Sequence, residues 1–157
     1  MTLDSAARTR TQRKQEVLER LRTEHDVWVA SADAEGTPCL VPLSLYWDGT
    51  AIWLATRETN PTGRNLRTGR STRLSFPDTH DAVLLDGGVE TFTKRDIDEA
   101  TADAFAARCG WEPRRSAARG VVGDYVYFRV TLTAVQAFRG LHEMPERHLM
   151  REGEWLV

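Results

Sequence analysis

The chain has 157 residues, of which 41% are hydrophobic and 28% are charged, and its formal net charge at pH 7 is -2. This composition is typical of one globular domain with a modest core, and it excludes a disordered chain. The small net charge gives no global field that would attract nucleic acid or an acidic membrane. The 2 cysteines, Cys39 and Cys109, lie far apart and outside any CxxC pattern, which argues against a disulfide framework or a structural zinc site.

Targeting signals are not evident in the sequence. The first residues lack the apolar core of a signal peptide, and no apolar run is long enough to span a bilayer. We therefore expect a cytoplasmic protein that makes no membrane contact, organised as a single domain over residues 1–157.

The first 25 residues predict an amphipathic helix, from about residue 5 onward. Its apolar stripe is Val17, Leu18 and Leu21, and basic residues surround that stripe. One interpretation is a basic arm that grips nucleic acid. The other is a helix laid on the domain with its charged face in solvent, which is favoured because glutamates interleave the positive charges. We therefore expect no nucleic-acid partner.

Two strands and a hairpin are predicted next. Residues 27–31 form a first strand, and residues 38–47 form a longer one in which Pro42 cannot donate to a ladder. This second strand should therefore lie at an edge or be irregular. Such a strand could lie against a planar ring or could simply turn a barrel corner. Asp48-Gly49 is a strong hairpin signal before the next strand.

The stretch from residue 50 to residue 76 organises the chain. Residues 50–56 predict a buried strand, and a helix capped by Thr59 or Asn60 should begin near Pro61 and end at Gly69. Residues 72–76 then resume a strand. The N–H groups at that helix start, flanked by Arg57 and Arg64, suit a phosphate. A plain strand–helix–strand crossover with surface arginines is the alternative.

The rest of the chain predicts further strands and short helices. Residues 82–86 and 89–92 form strands around a bulge at Gly87-Gly88. Thr93 should cap a helix, with Asp96 completing a capping box, and Gly110 should end it. A second helical piece is predicted over residues 111–119, a long strand over 124–139 and a turn over 151–155. The fold class is therefore mainly β, a six-stranded antiparallel Greek-key barrel with short helices.

No catalytic or metal-binding motif accompanies this fold. A nucleophile elbow, a Walker loop and GxGxxG are absent, and none of the 4 histidines pairs at a metal-ligand spacing. We therefore assign no catalytic residue and no metal. Any reaction would have to rest on a cofactor, and the phosphate-ready helix start is the one place to hold it.

The run from Leu54 to Leu66, followed by residues 73–76, resembles the pyridoxamine 5'-phosphate oxidase-like superfamily. It is most similar to the flavin/deazaflavin oxidoreductase branch, and residues 146–156 resemble a C-terminal signature of that branch. The resemblance implies an FMN-binding split barrel. It also implies a homodimer that holds FMN or the deazaflavin coenzyme F420 between its subunits and transfers hydride to or from a small organic substrate.

The resemblance also implies which residues hold the cofactor. The strand carrying Pro42, Leu43 and Ser44 would lie along the ring system. The phosphate would be surrounded by residues at the helix start, which are Thr56, Arg57, Thr62, Arg64 and Asn65. The tail, residues 140–157, would complete the pocket from the partner chain through Arg147 and Trp155.

Two departures from the family pattern bear on the cofactor. Many relatives carry a lysine where this chain has Thr62, and Phe138 and Glu146 stand where relatives often have tryptophan and glycine. These departures favour the deazaflavin or an empty pocket over FMN, and the choice among the three stays open. A module that binds a flavin, haem or another planar ligand without turnover is the alternative to an oxidoreductase.

Overall fold

A computed structural model describes residues 6–116 and 123–157. Within these residues the chain forms three α-helices, nine strands and one 3₁₀ helix. The helices are α1 (Arg10–Thr23), α2 (Pro61–Thr68), α3 (Glu99–Cys109) and the 3₁₀ helix (Leu141–Glu146). The strands are β1 (Asp26–Ala32), β2 (Pro38–Ser44), β3 (Tyr46–Trp47), β4 (Ala51–Arg57), β5 (Ser71–Ser75), β6 (Ala82–Phe92), β7 (Tyr125–Phe138), β8 (His148–Arg151) and β9 (Glu154–Trp155).

The strands form one antiparallel sheet in the order β2-β1-β5-β6-β7-β4-β3, and β8 and β9 extend it from β7. The two ends of this order are consecutive in the chain, because only Leu45 separates β2 from β3. The sheet must therefore curl round, although β2 and β3 do not close it by pairing. The predicted barrel is confirmed: six strands have five or more residues, and the other three are short.

Local predictions are confirmed at both tight hairpins. Gly49 takes a positive φ of 99° in the β3–β4 turn, where the Asp48 carboxylate accepts from the Thr50 and Ala51 N–H groups and from Trp53 Nε1. Between β8 and β9, Glu152 and Gly153 have φ values of 52° and 79°, as a type I′ turn requires. Pro42 lies in β2, which is an edge strand, as its missing N–H predicts.

Three other predictions need correction or fall partly outside the described residues. The β6–β7 register shifts at Asp86/Gly87, but the extra residue lies in β7. The helix predicted from Thr93 is wrong, because Thr93 and Asp96 close a single turn and α3 begins only after Asp98, whose side chain caps it. Residues 113–115 form a turn rather than a helix, and residues 117–119 lie outside the described chain.

Strand β4 separates two hydrophobic cores, and all seven of its residues are buried. Ile52 and Leu54 belong to the main core inside the curled sheet. Trp53 and Ala55 point the other way, into a second core that Phe105 of α3 completes. The burial of both faces explains why this strand reads as a continuous apolar run.

Helix α1 packs on the barrel through Val17 and Leu21, so the interpretation of a helix laid on the domain is confirmed. Thr9 and Gln12 form a capping box at its start. Arg13 is 1% exposed, and its Nη1 donates to the carbonyl oxygens of Ala137 (2.7 Å) and Glu146 (2.9 Å). No helix in the described part of the chain is long and apolar enough to cross a membrane.

A buried ion pair fastens the segment before α1 to the tail. The Glu143 carboxylate accepts from Arg8 Nη2 (2.8 Å) and from the backbone N–H groups of Arg8 (2.9 Å) and Arg139 (2.8 Å). The Arg8 side-chain hydrogen bond outweighs burial and, with the backbone donors, lowers the pKa of Glu143 to about 2. Glu143 therefore stabilises the fold as an anion.

We predict that Glu143→Gln lowers the free energy of unfolding at pH 7 by roughly 1.5–3 kcal/mol, the range for hydrogen bonds to charged groups. Because the folded-state pKa of Glu143 lies below its ordinary 4.5, its contribution is present above that pH and is lost as the pH falls toward 2. Urea denaturation at pH 7 and pH 3 measures this. Glu154→Gln, at an exposed position, serves as control. If wild type and Glu143→Gln lose the same unfolding free energy between pH 7 and pH 3, the assignment is contradicted.

Candidate functional site

The predicted phosphate site lies where β4 ends and α2 begins. Asn60 is the N-cap residue of α2 and Pro61 opens the first turn, as predicted. The Asn60 side chain does not cap the helix; its Nδ2 donates to Thr56 Oγ1 at 3.1 Å. The first turn of α2 contains no acidic residue. Among the residues that the structure describes, the positive end of α2 therefore has no side-chain acceptor of the kind that most helices have there.

Gly63 brings this helix start into direct contact with the end of β4. A Cβ atom at Gly63 would lie 2.1 Å from the carbonyl oxygen of Arg57, a separation that no side chain can adopt. The same carbonyl accepts from the N–H of Asn60 at 3.1 Å. The absence of a side chain at position 63 thus sets where the first turn of α2 sits.

Two buried polar contacts fix α2 over the first two strands. Thr62 is 2% exposed, and its Oγ1 lies 3.4 Å from Cys39 Sγ at the start of β2. Asn65 Nδ2 donates to Ser31 Oγ of β1 at 3.1 Å. Both side chains therefore hold the helix against the barrel, and both have one partner that is distant in the sequence.

Arg57 is the buried cation of the site, with 6% of the residue exposed. Its guanidinium lies 4.4 Å from the centre of the Tyr125 ring, and its Nη1 donates to the Gly123 carbonyl oxygen at 2.9 Å. Its Nη2 is buried and has no hydrogen-bond partner among the residues that the structure describes. A buried guanidinium N–H without an acceptor is costly, and an anion could satisfy it.

Arg64 lies on the exposed side of the same helix turn. Its Nη1 donates to the carbonyl oxygen of Thr59, which holds the side chain back over the α2 start. Arg67, one turn further on, is also exposed and lies 3.6 Å from the Glu58 carboxylate. The predicted pair of flanking cations is therefore asymmetric, with Arg57 buried and Arg64 at the surface.

Strand β2 leads away from this helix start along the sheet edge. Pro42 lies on the outward face and is the register partner of Trp28 in β1. Leu43 packs inward against the main core. Ser44 Oγ donates to Asp26 Oδ1 at 3.4 Å. Leu43 can therefore meet an outer ligand only through its backbone.

The structure does not bring Arg147 and Trp155 near the other predicted residues of the same chain. Arg147 Nε donates to Gln136 Oε1 at 3.0 Å, and its Nη1 donates to the Met144 carbonyl oxygen at 2.8 Å. Trp155 packs against the main core, with Lys14 Nζ 5.0 Å from its ring centre. Within one chain, the site consists of the β4–α2 junction and the outer face of β2.

The family is shown by a sequence comparison. The family model described as pyridoxamine 5'-phosphate oxidase matches residues 14–139. This match covers most of the chain and includes both α2 and the barrel strands, and the chain therefore belongs to the pyridoxamine 5'-phosphate oxidase family. A search of curated proteins finds no match.

Solved structures share the fold at low sequence identity. A pyridoxamine 5'-phosphate oxidase-related, FMN-binding protein from Nostoc punctiforme has a TM-score of 0.57 at 16% identity, covering 87% of this chain and 85% of that one. An F420 reductase has a TM-score of 0.54 at 17% identity (74% and 93% covered). HutZ, a haem storage protein from Vibrio cholerae, has a TM-score of 0.59 at 13% identity (82% and 97% covered). These similarities establish the fold alone.

Sequence reasoning missed several residues that build the junction. Cys39, Ser31 and Tyr125 each contact a predicted site residue from a distant strand. No spacing in the sequence indicates these contacts, because each depends on which strands become neighbours. The role of Gly63 was also missed, although a glycine in the first turn of a helix is a local signal of close packing.

We predict that Gly63→Ala lowers the free energy of unfolding by roughly 1–3 kcal/mol, as overpacking usually does, because its Cβ would collide with the Arg57 carbonyl oxygen. The matched control is Gly88→Ala, whose Cβ would meet Arg70 O only at 3.8 Å. Urea denaturation of both variants measures the difference, and equal stabilities would contradict the close packing of α2 on β4.

Proposed function

We propose that the chain binds a flavin-type cofactor, FMN or the deazaflavin coenzyme F420, and acts as an oxidoreductase on a small organic substrate. The observation that carries the proposal is the α2 start without a side-chain cap, next to a buried Arg57 whose Nη2 has no partner in the described structure. Both cofactors carry a phosphate group that would satisfy these donors. Membership of the pyridoxamine 5'-phosphate oxidase family supports the proposal.

The phosphate would be held by three kinds of donor. The N–H groups of Thr62 and Gly63 lie in the first turn of α2, at the positive end of the helix dipole. Arg57 Nη2 supplies a charge-assisted hydrogen bond from a buried position, and Arg64 can swing from the Thr59 carbonyl to the anion. Thr62 contributes no charge where many relatives have a lysine, so the guanidinium groups carry that role.

The ring system would lie along the outer face of β2, where Pro42 interrupts the backbone donors. When bound, it supplies hydride transfer at its N5 or C5 position. The chain would supply binding, orientation and exclusion of water, since we assign no acid–base side chain to this face.

A second copy of the chain is the proposed cover for this ring. Leu40 is 61% exposed and Trp28 is 39% exposed, and both lie with Pro42 on the outer face of β1 and β2. Such a cluster of exposed apolar residues beside a sheet edge is typical of a protein interface. In the homodimer, Arg147 and Trp155 of the partner subunit would complete the pocket.

Titration of the purified protein with FMN and with F420, followed by fluorescence, tests the proposal. Binding of at least one cofactor at micromolar concentration is expected. Bleaching of bound FMN by NAD(P)H, or oxidation of reduced F420 by a quinone, would then establish turnover. Binding of neither cofactor would overturn the proposal.

For the phosphate site, we predict that Arg64→Ala weakens cofactor binding by roughly 1.5–3 kcal/mol, about 10- to 150-fold, because a charged hydrogen bond is lost. The matched control is Arg70→Ala, an exposed arginine just beyond Gly69, the C-cap residue of the same helix. Fluorescence titration of both variants makes the comparison. Equal affinities would count against the assigned phosphate position.

For the dimer, we predict that Leu40→Glu weakens self-association at least tenfold, because a charge would be placed in an apolar interface. Ala107→Glu is the control, since Ala107 is exposed on α3, which packs on the second core rather than on β2 or the tail. Sedimentation equilibrium should give a dimer mass for wild type and for the control. A monomeric wild type, or an unaffected Leu40→Glu, would contradict the proposed interface.

The second candidate function is binding of a planar ligand without turnover, as in a haem-binding module. The fold similarity to HutZ, a haem storage protein, favours it. Haem titration followed by absorbance separates the two: tight haem binding together with no flavin binding would favour storage or transport over oxidoreduction.

A further inference from the structure

A second cavity lies at the end of the barrel opposite the proposed phosphate site. It has a volume of about 240 Å³ and is lined by residues from α1, the two hairpins and β7. Strand β4 leads from the turn at Thr50, which lines this cavity, to Arg57 at the α2 junction. Seven residues of extended strand separate the two by about 23 Å, so within one chain the cavity lies apart from the phosphate site at the α2 junction.

The walls of this cavity are apolar and aromatic. The indole rings of Trp47 and Trp155 form two of them, and Leu18, Leu132 and Met150 complete the lining from the core. None of the described residues that line the cavity is charged, and the nearest cation that contacts a wall is Lys14, whose Nζ lies 5.0 Å from the centre of the Trp155 ring. Two indoles and a thioether offer the flat, polarisable contacts that aromatic ligands prefer.

The opening of the cavity is formed by exposed residues of the turns and of β7. Thr50 and Thr131 are both exposed and flank the opening. The Thr50 hydroxyl donates to Asp48 Oδ1 at 2.9 Å, which fixes one side of the opening. Thr131 can offer its hydroxyl to a single N–H or O–H of a ligand.

The size of the cavity sets the size of its ligand. An apolar protein cavity of about 150 Å³ can bind benzene, so about 240 Å³ admits one or two fused rings but not a three-ring flavin with its side chain. We propose that this cavity binds a small, uncharged aromatic compound of one or two rings, in contact with Trp47 and Trp155.

Indole is a suitable probe, and the tryptophan Nε1–H signals of the ¹⁵N-labelled protein report where it binds. The chain has 5 tryptophans, and Trp47→Phe and Trp155→Phe identify the two signals of interest. We expect saturable shifts of these two signals with a dissociation constant of about 1 mM or tighter, while the signals of Trp28 and Trp111 stay in place. No saturable shift, or equal shifts of all signals, would overturn the proposal.

A variant that fills the cavity provides the second test. Thr131→Trp places an indole at the opening on an exposed strand position and should weaken indole binding at least tenfold. Thr91→Trp makes the same substitution at an exposed position of β6, away from the cavity, and should change the affinity less than twofold. Unchanged binding in Thr131→Trp would overturn the proposed site. If this variant fails to fold, the selectivity of the wild-type shifts decides alone.

Discussion

The contact between Gly63 and the Arg57 carbonyl oxygen is the constraint on which the functional site depends. It lets the first turn of α2 sit directly on the end of a fully buried strand. From there Thr62 reaches Cys39 and Asn65 reaches Ser31, so that one short helix is fastened to β2 and β1 as well as to β4. A helix of eight residues is marginal alone, and its position here comes from these tertiary contacts.

The arginines of this chain show how differently one residue type can be used. Arg13 donates two hydrogen bonds to backbone carbonyls, and Arg8 pairs with the buried Glu143, so both support the fold. Arg57 donates one hydrogen bond and keeps a buried Nη2 without a partner in the described structure. Arg13 Nε is likewise buried without a partner in the described structure, so what distinguishes Arg57 is its position beside the uncapped start of α2.

Local signals in the sequence predicted much of the fold. The bounds of α2 were predicted correctly from Asn60, Pro61 and Gly69. The β3–β4 hairpin was predicted correctly from Asp48-Gly49. Both predictions succeed because caps and turns depend on neighbouring residues. The helix start predicted at Thr93 was wrong for a physical reason. Its capping-box hydrogen bonds do form, but they close only a turn, and the Asp98 side chain caps the helix instead. The contacts of Ser31, Cys39 and Tyr125 could not be predicted, because they depend on strand order.

The two ends of the barrel differ in chemistry because of what the chain places at each. At the α2 end, β4 ends at Arg57, and the N–H groups in the first turn of α2 have no side-chain acceptor in the described structure. At the other end, two hairpins and α1 place Trp47 and Trp155 in the lining of one cavity, and none of the described lining residues is charged. Strand β4 is buried along its whole length and forms a rigid spacer between them. We therefore expect an anion to bind at one end of this small domain and an uncharged ring to bind at the other.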